Sequence, residues 1–213
     1  NAFDNVAVGE SAYSGVDSTV STGVENTAIG SFALNYNETG NQNTALGFLS
    51  LRENTSGDAN TSLGAYSLEK NTSGGGNTGI GHQALRYVNA FDNVALGESA
   101  YSGVDSVIST GSENTAIGSF TLDNNVTGSS NTALGFLSLR ENSSGNGNTG
   151  LGGYSLEKNT SGERNVAIGF GSLRNANGSN NIAIGFESMG SVDSAISESF
   201  ENTALGNFSL HSN

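Results

Sequence analysis

The stretch NTALGFLSLREN at residues 43–54 stands again, letter for letter, at residues 131–142. Its first five letters decide the fold. The pattern Asn-[Thr/Val/Ile]-[Ala/Ser/Gly]-[Ile/Leu/Val]-Gly recurs with its Asn at positions 5, 26, 43, 60, 77, 93, 114, 131, 148, 165, 181 and 202. The spacings are 21, 17, 17, 17 and 16, then the same five again, then 21. Residues 1–88 align with 89–176 without a gap at 64 identities in 88, and 177–213 begin a third copy, so 1–213 reads as a single repeat array. Units this short cannot hold the paired helices of ankyrin or tetratricopeptide repeats, and their Gly, Asn and Ser would end any helix. A β-branched piece such as NTAIG, bounded by NTSG or NETG, reads as a strand followed by a turn. The expected fold is all-β: a parallel β-solenoid of about twelve coils, numbered here from 1 to 12 by their motif Asn.

Positions within a coil are counted from that Asn. Stacked strands lie ~4.8 Å apart, close enough for the motif Asn side chains, Asn26, Asn43, Asn60, Asn114, Asn131 and Asn148 among them, to form a structural amide ladder. The Gly at +4 is expected at a corner that needs positive φ or close backbone approach. Charge placement checks the register. Position +9 runs Arg52, Glu69, Arg86 and again Arg140, Glu157, Arg174, while +10 sets Glu53 beside Lys70 and Glu141 beside Lys158, so neighbouring coils offer opposite charges. Positions +2 and +7 are small, suited to a narrow interior. Positions +3 (Ile29, Leu46, Leu63, Ile80) and +8 (Leu34, Leu51, Leu68, Leu85) are large and apolar. By strand alternation at least the +3 column faces away from its small neighbour, and an uncovered stripe of that length predicts association between chains.

Composition narrows the function. The chain carries 7 Lys plus Arg against 20 Asp plus Glu, a net charge of −13, which argues against nucleic acid and anionic membranes as partners. It has no Cys, so disulfides and thiolate metal sites are excluded. The apolar runs are too short for a membrane span. No phosphate-loop, dinucleotide, zinc or EF-hand pattern occurs, His82 and His211 sit in different coils as surface or packing residues, and no enzymatic activity or cofactor is expected. Three features stand out. The 21-residue coils place Asp17, Asp105 and Asp193 on a projecting loop as candidate metal or ligand contacts, with Glu25, Glu113 and Glu201 as helpers; a tolerated insertion is the plainer reading. Sequons at Asn37, Asn54, Asn71, Asn125, Asn142 and Asn159, with Asn177 offset, are candidate glycosylation sites or simply good turns. A Thr column at +1 suggests an ice-binding plane, but Val6, Val94, Val166 and Ile182 interrupt it, and a β-branched strand position explains it.

The motifs NVAVGESAY, NTAIGSFAL and NIAIGFESM resemble the head repeat of trimeric autotransporter adhesins, the YadA-like left-handed parallel β-roll, and related phage and bacterial fibre repeats. That resemblance covers the whole chain. It implies a homotrimer whose three rolls share an apolar axis, an extracellular, cell-surface or virion-surface location, and attachment to a host or surface glycan or protein. The expected role is a non-enzymatic extracellular fibre or adhesin shaft, with a solenoid binding module for glycan, Ca²⁺ or ice as the alternative. Residue 1 falls inside the repeat phase and residue 213 inside a third copy, so the chain is expected to be a section of a longer array.

Overall fold

The computed structural model describes residues 4–15, 21–105, 107–190 and 200–211. Twelve strands of three residues each form one parallel sheet whose spatial order is the chain order. They are β1 (Val6–Val8), β2 (Thr27–Ile29), β3 (Thr44–Leu46), β4 (Thr61–Leu63), β5 (Thr78–Ile80), β6 (Val94–Leu96), β7 (Thr115–Ile117), β8 (Thr132–Leu134), β9 (Thr149–Leu151), β10 (Val166–Ile168), β11 (Ile182–Ile184) and β12 (Thr203–Leu205). Each occupies +1 to +3 of its coil. The register holds like above like: Thr27, Ala28 and Ile29 pair with Thr44, Ala45 and Leu46, and the 16-residue and 21-residue coils keep it through β5–β6 and β6–β7. Extra or missing residues are therefore absorbed in the turns. The array is a β-solenoid, as the repeat predicts.

The motif Asn side chains form the expected ladder. Asn60 Nδ2 donates to Asn43 Oδ1 at 3.1 Å, the Asn60 backbone N–H donates to the same oxygen at 3.0 Å, and Nδ2 also reaches the Gly74 carbonyl at 2.9 Å. This arrangement recurs from coil to coil, through Asn77, Asn93, Asn114 and Asn131. All these Asn are buried. A carboxamide is the one uncharged side chain that can accept from one neighbour and donate to another across a ~4.8 Å rung.

The interior is filled by three columns. Position +2 (Ala28, Ala45, Ser62) and position +7 (Ala33, Ser50, Ser67, Ala84) are fully buried, and so is the large +8 column of Leu34, Leu51, Leu68 and Leu85. Alternation alone left the +8 direction open, because the chain stops being a strand at the +4 Gly. Beyond it Leu49 (φ 56°) and Leu51 (φ 52°) both lie in the left-handed region, and this pair of reversals turns Leu51 inward. Such backbone is costly for leucine. Cross-coil bonds such as Leu51 N–H to the Ser67 carbonyl, 2.9 Å, offset that cost, as does the buried side chain. In the 21-residue coils position +8 is Tyr13, Tyr101 or Met189. The longer side chain reaches across the wider turn: the Tyr101 hydroxyl donates to the Gly111 carbonyl at 2.9 Å, and Tyr13 does the same to Gly23.

The +4 glycines meet the sequence expectation on both counts. Gly47 has φ 138°, and a Cβ there would sit 2.6 Å from the Gly64 carbonyl oxygen. Replacing Gly47 with Ala should therefore destabilise the array by about 2 kcal/mol or more, since strained φ and a backbone clash coincide. Asn60→Ala should cost about 1–3 kcal/mol for each buried partner it leaves unpaired. Denaturant melts of the two variants check both, against an exposed control such as Asn146→Ala.

Candidate functional site

The outward side of the sheet carries +1 and +3. The +3 column is apolar along its whole length, and its most exposed members are Val8, Ile29, Leu46, Leu63, Leu134, Ile168 and Leu205, at 36–76% of their full accessibility. Beside it runs a rank of rings from positions +5 and +6. Phe48, Tyr66 and His82 form one series; Phe120, Phe136, Tyr154, Phe170, Phe186 and Phe208 form the other. Neighbouring centroids are 5.3–6.5 Å apart and most pairs meet edge to face. Phe48, Phe136, Phe170, Phe186 and Phe208 are exposed. The sequence reading missed this rank because the rings alternate between +5 and +6, and no single column shows them. The turn at +4 is what lets the two positions converge.

The charge columns match their expected register. Arg86 Nε lies 2.8 Å from Glu69, Arg52 lies 3.8 Å from the same carboxylate, and Lys70 is 2.5 Å from Glu53. The second copy repeats this with Arg174 and Arg140 on Glu157 and Lys158 on Glu141. The Glu53 hydrogen bond raises the Lys70 pKa, with the nearby Glu69 charge adding to it. Arg86 also packs on the rings of Tyr66 and Tyr87.

Of the three loop aspartates, Asp17 and Asp193 lie outside the described residues. Asp105 is exposed and lies near the Tyr87 phenol, whose pKa is raised chiefly by burial, the Asp105 charge adding to it. Among the described residues no three His, Asp or Glu side chains converge on one point. Glu25 and Glu113 accept instead from Gln42 and Ser130 of the following coil. What distinguishes the long loop is apolar: Val104, Val107 and Ile108 are all exposed around Asp105.

The sequon reading is corrected. Asn37, Asn54, Asn71, Asn125, Asn142 and Asn159 are fully buried. Each Nδ2 donates to the carbonyl of the Gly three residues on, at 2.8–3.0 Å. Asn54 donates to Asn37, Asn71 to Asn54, Asn142 to Asn125 and Asn159 to Asn142, forming a second ladder at +11. The amide nitrogen that would carry a sugar is the one held inside the coil. The N-x-[Ser/Thr]-G spelling is a turn and ladder signature; its 17-residue recurrence in phase with the motif Asn was the signal. Asn177 Oδ1, the offset case, accepts from the backbone of Thr160 and Ser161.

A comparison between copies isolates one titratable group. Ser102 donates to the Asp123 carboxylate, and in the first copy Ser14 donates to the amide oxygen of Asn35, the residue 88 positions earlier. Burial raises the Asp123 pKa, with Ser102 and Arg140 opposing. A scan of the chain against models of protein families, and searches among curated proteins and solved structures, found no match.

Two expectations follow. Folded material made in a glycosylating host should carry no sugar on Asn54, Asn71, Asn142 or Asn159, and peptide mapping checks this. Because the fold binds the Asp123 proton more tightly than the unfolded chain does, that group stabilises below the ordinary carboxylate pKa and loses this contribution as pH rises through its raised value. Asp123→Asn should therefore lessen the decline in stability as pH rises above the ordinary carboxylate range, as measured by melts at a series of pH values.

Proposed function

We propose that this chain is the shaft of a non-enzymatic extracellular fibre or adhesin, assembled from copies that bury their outward sheet faces against one another, three copies being the favoured number. The observation that carries this reading is the division of apolar residues. The +8 leucines already fill the coil, so the +3 column and the rings beside it are surplus to the single chain. An apolar stripe running the length of a rod, in register on every rung, is an association surface. The resemblance to adhesin head repeats supports the number three and the surface setting.

Light scattering should give a multiple of the 21.6 kDa chain at micromolar concentration, and a stable monomer would count against the proposal. Ile29→Asp or Leu46→Asp should dissociate the assembly or unfold it, since the charge would enter an apolar axis at a cost of several kcal/mol. Asn146→Ala, in an exposed turn, should leave the mass unchanged.

A second reading concerns attachment. The 21-residue coil presents Val104, Val107 and Ile108 to solvent, where the neighbouring turns are polar. These loops recur every five coils, about 24 Å along the rod at ~4.8 Å per rung, so weak contacts could add by avidity. Removing four residues from each loop, around Asp17, Asp105 and Asp193, should weaken adhesion of a folded fibre. Unchanged adhesion would leave the shaft a spacer.

A further inference from the structure

The twelve rungs are not equally held. Between coils 3 and 4 three kinds of side-chain contact supplement the backbone ladder: the Arg52–Glu69 and Lys70–Glu53 ion pairs at 3.8 and 2.5 Å, the Phe48–Tyr66 ring pair at 5.5 Å, and the second-ladder bond from Asn71 to Asn54 at 3.0 Å. Coils 8 and 9 have the same set in Arg140–Glu157, Lys158–Glu141, Phe136–Tyr154 and Asn159–Asn142.

Between coils 5 and 6 all three are missing among the described residues, for reasons visible in the chain. Opposite Arg86 at +9 stands Ser102; the +5 and +6 positions of coil 6 are Glu98 and Ser99, which offer no ring to His82; and both +11 positions are valine, Val88 and Val104. The second ladder therefore ends at Asn71, whose Oδ1 is buried without a hydrogen-bond partner among the described residues. It resumes only at Asn125. Across this boundary there remain the motif ladder from Asn93 to Asn77 at 3.1 and 3.2 Å, the backbone bonds of the strand and turns including a Val88–Ser109 bridge, a Phe91 N–H to Ser112 Oγ bond at 3.2 Å, a long Ser99–Gln83 bond of 3.4 Å, and the loop's Asp105 beside Tyr87. The boundary between coils 6 and 7 also lacks all three among the described residues, but there Ser102 donates to the Asp123 carboxylate and Ser109 Oγ to the Asn125 carbonyl at 2.7 Å. The equivalent boundary between coils 10 and 11 keeps one of the three contacts, the stacked Phe170–Phe186 pair at 5.7 Å. Those rings replace His82 and Glu98 of the earlier copy.

We propose that the boundary between coils 5 and 6 is a built-in joint, at which the solenoid opens before it opens within the blocks on either side. A stack whose coils touch only their neighbours has a stability that is a sum of boundary contributions, so the weakest boundary opens first. The joint lies next to the long loop, so a fibre that yields there would change the angle between successive loop-bearing levels. The proposal does not depend on the number of chains in the assembly.

Hydrogen exchange read by mass spectrometry on the full chain tests it. Amides bonded across the joint, those of Thr78, Leu85, Tyr87 and Gly97, should exchange about tenfold faster or more than the matching amides of coils 3–4 and 8–9. The double variant His82→Phe/Glu98→Phe installs the ring pair of the later copy, and should bring those amides toward the protection of the blocks without altering the blocks themselves. Equal protection along coils 3 to 9, or a fast joint that the double variant leaves unchanged, would overturn the proposal.

Discussion

From Asn26 to Asn114, and again from Asn148 to Asn181, each motif Asn Oδ1 accepts two hydrogen bonds from the Asn of the next coil, one from its backbone N–H and one from its side chain. This single oxygen constrains much of the rest. It can be reached twice only if successive coils stack in register, and stacking in register forbids a Cβ at the glycine four residues on. It also explains how coils of 16, 17 and 21 residues coexist. The strand and the ladder keep one geometry, and length differences go to the far turns, where Ala90 replaces the glycine carbonyl under Asn77 and Gly111 serves under Asn93.

Inside and outside follow from that stacking. A coil this narrow has room for a small residue at +2, another at +7 and a single large one at +8, and the structure uses all three. The remaining large apolar positions lie on the other face of the strands. The coil is thus filled within and apolar without, and it is this division on which the proposed association of copies rests. A net charge of −13 keeps the rods soluble, while the stripe between the acidic turns carries no charge of its own to repel another copy.

Most of this was legible in the sequence because a solenoid converts recurrence directly into contact. Asn26 and Asn43 are 17 residues apart in the chain and one rung apart in space, and the alternating signs of Arg52, Glu69 and Arg86 gave the same register independently. What period-two reasoning could not give was anything beyond the +4 corner. There the left-handed residues at +6 and +8 turn Leu51 inward and bring Phe48 and Tyr66 together. The sequons misled for a related reason: an Asn in a turn is normally exposed, whereas Asn54 and Asn71 sit in turns whose side chains point into the coil. The loop aspartates show the reverse limit, since three copies of one spelling proposed a site, and the described copy, Asp105, is an exposed loop residue near Tyr87.

Hydroxyl-radical footprinting of the native assembly tests the division of the two apolar columns most directly, because it reports side-chain accessibility at Leu46 and Leu63 separately from Leu51 and Leu68. The account predicts that all four are protected in the native assembly, and that in a folded, dissociated variant such as Ile29→Asp the first pair becomes reactive while the second stays protected. Reactive Leu46 and Leu63 in the native material would contradict burial between copies, and reactive Leu51 and Leu68 would contradict the coil interior itself.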